Sequence, residues 1–454
     1  MTVDTAMSES PNVLFLVLDS ARRDRVSAYG HDRETTPTLD RLAEEAVVYD
    51  NAFAPAPWTL PSHWSMFTGR FPSEHGVTNG FVDEGLQNPD GLDTIAEQFS
   101  REGYRTAGFS NNPWVGKLSG LDRGFDEFVE WDLEISRDGD QETRTRDAVY
   151  SRLHSLLGRA AGQPQVLLKR RFFTSNLVTR AERLLSDGDD RPKFLFMNLM
   201  EAHSPYYPPR DAFQQLGLET PNPVESRLLN VRLLAYVLGK AGLSAANRER
   251  VMEFYDASLR FQDQQLARIV ETLKREGVFD ETLLVVCADH GKTLGEYDRD
   301  AVPPHYLRDI NTNVPLLVKP PGETELDRVE APFELTAIPE LLTGGDLRAG
   351  VPDEGVALVE DHIPHTAAES KTVTRWRTVA DESHTFVQSE EGEEYLLRRD
   401  EDRFSDDDEL KRTYRDRFDE RLSELSFESR ATDATDGPIE GSVQGQLKDL
   451  GYIG

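Results

Sequence analysis

The chain has 454 residues, 38% of them hydrophobic, which suits a large domain with a second, smaller one and is too long for one small core. Its 51 Lys and Arg against 82 Asp and Glu leave a formal charge of -31, and a surface this acidic excludes nucleic acid as a general partner. The single cysteine, Cys287, excludes an intramolecular disulfide and, lying in the run L-L-V-V-C-A, reads as core.

No stretch approaches the ~20 apolar residues of a membrane span. The amino end, M-T-V-D-T-A-M-S-E-S-P, lacks a basic region ahead of an apolar one, so a cytoplasmic location without membrane insertion is the expectation. The acidity reads as adaptation to salty solvent, not as a clue to substrate.

Val13 to Leu18, V-L-F-L-V-L, is an apolar run too short for a helix and has the pattern of a strand buried on both faces. It ends at Asp19, the position where open α/β sheets bind ligands. T-P-T-L-D-R-L-A-E-E-A from Thr36 predicts an amphipathic helix with Pro37 in its first turn. Next comes P-W-T-L-P-S-H-W-S-M-F-T-G-R, from Pro57 to Arg70. Pro61 and Ser62 suit the first turn of a helix, which would leave Thr59 just outside its N-terminus. Free amides and the positive dipole end there favour an anion, so a hydroxyl at that point can attack a bound anionic ester.

From Leu92 a helix stopped near Gly103 is followed by a strand ending at Ser110 or Asn111, an αβ unit. Residues 133 to 192 read as a charged, mostly helical elaboration outside the sheet. Phe194 to Met200 is another buried strand, and His203 stands just past it in a Pro- and Tyr-rich loop. Arg248 to Glu276 is a long helix whose Asp256 and Asp263 read as packing partners or caps. Leu283 to Ala288 is a third buried strand, ending in Asp289-His290-Gly291. A carboxylate and an imidazole at adjacent positions are suitable ligands for a divalent ion, with Gly allowing close backbone approach. His305 lies in the following Pro-rich loop, and Val314 to Val318 is a fourth strand. After Pro320, alternating runs such as T-F-V-Q and E-Y-L-L suggest a small antiparallel sheet, and D-E-D-R-F-S-D-D-D-E-L a solvated face.

Taken together, N-V-L-F-L-V-L-D-S-A-R-R-D, T-P-T-L-D-R-L-A, W-T-L-P-S-H-W-S-M-F-T-G-R, H-S-P-Y-Y-P-P and V-V-C-A-D-H-G-K-T-L-G-E resemble the sulfatase-like branch of the alkaline phosphatase superfamily, over most of residues 11 to 320. The overall composition resembles that of proteins of halophilic archaea. The resemblance implies an α/β fold over 1–340, with a large mixed, mostly parallel sheet sandwiched by helices. A smaller C-terminal α+β subdomain over 341–454, with short antiparallel strands and a helix, completes it. By position, it implies one divalent metal ion (Ca, Mn, Zn or Mg) on Asp19, Thr59, Asp289 and His290, and Thr59 as nucleophile. His203 and His305 fall where relatives bind the anion or protonate the leaving group, and His63, Arg70 and Asn111 are candidate substrate or supporting contacts.

The departures from that family are chemical. Sulfatases of the main type carry C-x-P-S-R and convert the Cys, or a Ser, to formylglycine, whereas this chain reads T-L-P-S-H. Thr cannot give the aldehyde, because its methyl would leave a ketone. The usual Asp-Asp pair is Asp19-Ser20, and the usual Arg is His63. What remains resembles the single-metal, threonine-nucleophile set of phosphoethanolamine-type transferases and some phosphodiesterases. The resemblance therefore implies a hydrolase of sulfate or phosphate esters acting on small molecules or glycans. The alternatives are a phosphodiesterase or phospho-group transferase, or a non-catalytic binder of sulfated or phosphorylated glycans.

Overall fold

A computed structural model describes residues 10–78, 89, 91–130, 165–237, 241–296, 307–322, 328–362 and 375–425, with side chains left aside at 165–173 and 237. In chain order the large sheet contains β1 (Val13–Leu18), β2 (Val47–Phe53), β3 (Arg105–Ser110), β4 (Glu127–Val129), β5 (Lys193–Leu199), β6 (Leu283–Cys287), β7 (Asn313–Val314), β8 (Leu316–Lys319) and β9 (Arg328–Glu334). Their order is β4-β3-β5-β1-β6-β8-β2-β7, with β9 also pairing with β2.

The most apolar strands occupy the middle. Every residue of β1, β5 and β6 is buried, which requires cover on both faces and explains why these runs do not alternate. β1 pairs in parallel with β5 on one side and β6 on the other, and β3 extends the parallel set beyond β5. β8 runs antiparallel to β6 and β2, so the sheet is mixed and mostly parallel. The register sets Leu18 beside Leu199, Val17 beside Cys287 and Ser110 beside Asn198. The carboxyl ends of four strands therefore open along one edge, where ligands sit in such sheets.

The helices named below are α1 (Pro37–Ala43), α2 (Thr59–Thr68), α3 (Ile95–Arg101), α4 (Gln165–Leu185), α5 (Ala245–Glu276) and α6 (Asp408–Ser423). α5 starts where Ser244 caps Asn247 N and stops at Gly277, whose φ of 72° only glycine adopts at little cost. Asp263 on α5 accepts from Thr38 N and Leu39 N, satisfying free amides at the start of α1, and Asp256 pairs with Arg25 and Arg33, as the packing reading expects.

Two expectations need adjustment. Pro315 has no amide to donate, so the strand expected over 314–318 is split into β7 and β8. Where it is described, the 133–192 segment is mostly helical and contributes no strand, but α4 is no detached appendage, because it buries Leu177, Val178, Ala181 and Leu184 in the main core; residues 133–164 lie outside those described.

A second sheet, antiparallel throughout, joins β10 (Ala357–Asp361), β11 (Trp376–Ala380), β12 (His384–Ser389), β13 (Glu394–Arg398) and β14 (Arg403–Phe404) in sequence order. α6 covers it through Tyr414 and Phe418, the latter ring 5.5 Å from that of Phe386. In the acidic stretch, Asp407 caps α6 by accepting from the amides of Glu409 and Leu410. Glu360 ties the two sheets together: its amide donates to Pro55 O, while its carboxylate accepts from Ser73 N (2.8 Å) and pairs with Arg377 (2.7 Å).

Candidate metal and nucleophile site

Asp19 is the first residue past β1, and Asp289 and His290 follow β6. One ligand atom from each lies within 4.8 Å of the other two, and all three residues are buried. The turn after β1 is unusual. Ser20 adopts φ 60°, and its amide donates to Asp289 Oδ1 at 2.9 Å while its hydroxyl donates to Asp19 Oδ1 at 2.9 Å. His290 N also donates to Asp289 Oδ1 (2.9 Å). Asp289 Oδ2 is buried and has no hydrogen-bond partner.

Thr59 is the first residue of α2 rather than lying outside it, with extended Trp58 at the cap position. Its hydroxyl is 3.2 Å from His290 Nε2. His290 Nδ1 faces the carbonyl of Gly291 at 2.6 Å, which holds its proton on Nδ1 and leaves the Nε2 lone pair towards Thr59. Ser62 does not cap the helix, because its hydroxyl donates to Asp289 O at 2.7 Å and pins α2 to the β6 loop. Gly291 is needed where it stands, but not for a ligand: a Cβ there would meet the carbonyl oxygen of Ile310 at 1.9 Å.

Two asparagines that sequence reasoning missed complete the cluster. Asn112 Nδ2 donates to Asp19 Oδ2 (2.6 Å) and reaches Thr59 Oγ1 (3.4 Å), and Asn198 Nδ2 lies 3.3 Å from Asp19 Oδ2. The expected Asn111 instead bonds Thr174 and Glu201, one residue and one direction away. The doublet S-N-N past a strand end was the available signal, but neighbouring residues there point apart.

Of the other candidates, His63 is wholly buried, with Nδ1 on Thr59 O (2.9 Å) and 3.6 Å from Asp289 Oδ2, so it backs the site from inside α2 rather than facing a substrate. Arg70 lies past the far end of α2, exposed and 3.7 Å from Glu74, and is not brought to the cluster. His203 is buried close enough to Asp19 to lower its pKa. His305 lies outside the described residues. Lys292 donates to Ser204 Oγ at 3.1 Å and places a cation beside the His203 loop.

The electrostatics separate the two carboxylates. Burial raises Asp19, but His203, His290 and the Asn112 hydrogen bond outweigh it and hold the acid low. Asp289 is pushed up to about 7, by burial first and by the Asp19 charge second. Burial lowers both His290 and His63, so both imidazoles are neutral near pH 7.

The sulfatase family model matches residues 11–335. The chain belongs to the sulfatase family. A sulfatase of Formosa agariphila is 26% identical over 416 residues, covering 85% of this chain and 80% of that protein. An arylsulfatase of Clostridium perfringens is 24% identical over 352 residues, or 69% of each chain. The crystal structure of the phosphonate monoester hydrolase of Agrobacterium radiobacter superposes with a TM-score of 0.66 at 19% identity, over 91% of this chain and 95% of that one. A 2-O GAG sulfatase gives 0.65 at 18%, over 94% and 95%. These superpositions show a shared fold.

Sulfatase family members generally bind a divalent metal, and the residues here fit one. Two fully buried carboxylates side by side, one with an oxygen lacking any hydrogen bond, leave negative charge that a hard cation neutralises, and a neutral imidazole nitrogen adds a third donor atom. Asp19, Asp289 and His290 would hold it, with Thr59 Oγ1 at its edge.

Proposed function

We propose that this sulfatase-family protein is a metal-dependent hydrolase of sulfate or phosphate esters that uses Thr59 as nucleophile. The observation that carries the reading is the position of Thr59 Oγ1. It lies at a helix N-terminus, 3.2 Å from His290 Nε2 and 3.4 Å from Asn112 Nδ2, beside the buried carboxylate pair. When bound, a divalent ion would lower the pKa of the threonine hydroxyl and neutralise the ester oxygens.

The residues of the chain then divide the work. The α2 N-terminus orients the anionic ester and stabilises negative charge on Thr59 Oγ1. Thr59 Oγ1, its proton released to solvent, forms a bond to the sulfur or phosphorus as the bond to the leaving oxygen breaks in line, and the leaving oxygen takes a proton from His203. Water next gives a proton back to His203 as its oxygen attacks the same sulfur or phosphorus, and the Thr59 ester bond breaks to return the threonine oxygen as the alkoxide it began as. Asn112 keeps Asp19 and Thr59 in register throughout.

The threonine favours phosphorus within that class. A formylglycine hydrate expels sulfate by collapsing to an aldehyde, whereas a threonine ester has no such route and must be opened by attack at its central atom. Proteins of this fold include both phosphonate monoester hydrolases and a 2-O GAG sulfatase, so the preference rests on the threonine. A panel of aryl sulfate, phosphate monoester, phosphodiester and phosphonate substrates, each with Mn, Zn, Ca and Mg, tests both levels. Turnover of any ester supports the hydrolase, and the ratio of phosphorus to sulfur turnover settles the preference. A protein that binds sulfated glycans, takes up no metal and turns over none of the panel would overturn the proposal.

A further inference from the structure

Ser20 is one of two non-glycine residues with positive φ among those described, and it sits between the metal-site carboxylates. A serine held there is strained where a glycine would not be, so something nearby must hold it. The holder is Tyr255, from the middle of α5. Its hydroxyl donates to Ser20 O at 2.7 Å and accepts from Arg22 N at 2.8 Å, closing the turn from both sides with one atom. The ring is fully buried and meets Tyr206 edge-on, with centroids 5.8 Å apart, in the loop that carries His203. Asn230 in turn fixes that loop, accepting from Tyr206 N (2.7 Å) and donating to Tyr206 O (2.8 Å).

The consequence reaches the cation ligands directly. With Ser20 turned this way, its amide occupies Asp289 Oδ1 and leaves Oδ2 as the unsatisfied oxygen, while its hydroxyl occupies Asp19 Oδ1. Rotating Ser20 to an ordinary extended conformation would swing its side chain and carbonyl away, taking the hydroxyl off Asp19 Oδ1 and straining the amide contact that Asp289 Oδ1 shares with His290 N. We propose that Tyr255 is a positioning residue for the cation site, acting through the left-handed turn at Ser20, and that it couples this turn to the His203 loop. The proposal rests on the metal reading above.

Tyr255→Phe keeps the ring and removes only the hydroxyl. In the metal-stripped full chain, titrated with Mn²⁺ by calorimetry, it should weaken binding roughly 10- to 100-fold, as loss of such supporting contacts does elsewhere. Glycine accepts the turn unaided, so the same substitution in a Ser20→Gly background should weaken binding far less relative to Ser20→Gly alone. Mn²⁺ affinity equal to wild type in folded Tyr255→Phe would overturn the proposal while leaving the metal reading intact. An equal loss in both backgrounds would also overturn it, since the effect would then not pass through Ser20. A wild-type protein that takes up no Mn²⁺, Ca²⁺, Zn²⁺ or Mg²⁺ would overturn the metal reading itself and this proposal with it.

Discussion

The hydroxyl of Thr59 lies 3.2 Å from Nε2 of His290, although 231 positions separate the two in the chain. Both atoms border the buried carboxylate pair, so a cation held on His290 Nε2 would lie beside the Thr59 hydroxyl and lower its pKa at the start of a helix. Thr59→Ala should lower turnover by several orders of magnitude while leaving the melting temperature close to wild type, and Thr59→Ser should keep part of the activity. Mass spectrometry of the intact protein after brief exposure to substrate should show a phosphate- or sulfate-sized adduct on wild type and none on Thr59→Ala. Full activity in Thr59→Ala would remove the residue from the mechanism.

Asp19 and Asp289 are both fully buried and only a few ångströms apart, so removal of a bound cation should leave like charges facing each other. Chelation should abolish activity and lower the melting temperature, and added cation should restore both in a concentration-dependent way. Asn112→Ala should weaken cation binding by roughly 10-fold or more, because Asp19 Oδ2 loses its 2.6 Å donor. Unchanged affinity in that variant would mean that Asn112 only packs.

Arg70 offers the opposite test. It is exposed beyond the far end of α2, so Arg70→Ala should leave kcat/KM within about twofold and stability within ~0.5 kcal/mol. A large loss of activity would place a substrate arm across that surface.

Glu360 supplies a pH signature unrelated to catalysis. Burial raises its pKa, but His362, Arg377 and the Ser73 amide outweigh burial and bring it down from 4.5 to about 2. A carboxyl depressed in the folded state contributes stability above its unfolded value and loses it as pH falls, here from about 4.5 towards 2. The contribution is on the order of 3 kcal/mol. Urea midpoints between pH 6 and 2.5 should fall less steeply for Glu360→Gln, which begins less stable. Parallel profiles for the two proteins would rule out this carboxyl as the acid-sensitive joint.

The charge of -31 should make folding and turnover better at molar salt, where carboxylate repulsion is screened within ~3 Å. Equal melting temperatures in dilute buffer and in molar KCl would exclude a salt-adapted surface.

Much of the fold could be read from the sequence because its central strands are unbroken apolar runs, and V-L-F-L-V-L, F-L-F-M-N-L-M and L-L-V-V-C-A each became a strand of the parallel set. Asp19, Asp289 and His290 could be read because each follows such a run directly. Asn112 could not be separated from Asn111, since the choice depends on which way the chain turns after Ser110. Asn198 was hidden inside an apolar strand and was read as part of it. Arg70 was misplaced by nearness in sequence, although ten helical residues carry it roughly 15 Å along the axis. Tyr255 carried no local signal, because its role depends on a turn more than 230 residues away.

The place of β1 in the sheet also bears on synthesis. Its partners are β5, which begins at Lys193, and β6, which begins at Leu283, and among the described residues it pairs with no strand that comes between it and β5. At ordinary elongation rates its six apolar residues wait roughly ten to thirty seconds for a first neighbour. Through that interval both edges of the strand are open to any other chain. Protection of the nascent protein therefore falls to chaperones or to repulsion among its many carboxylates. Expression in a host with dilute cytosol should yield aggregates seeded by this amino-terminal strand.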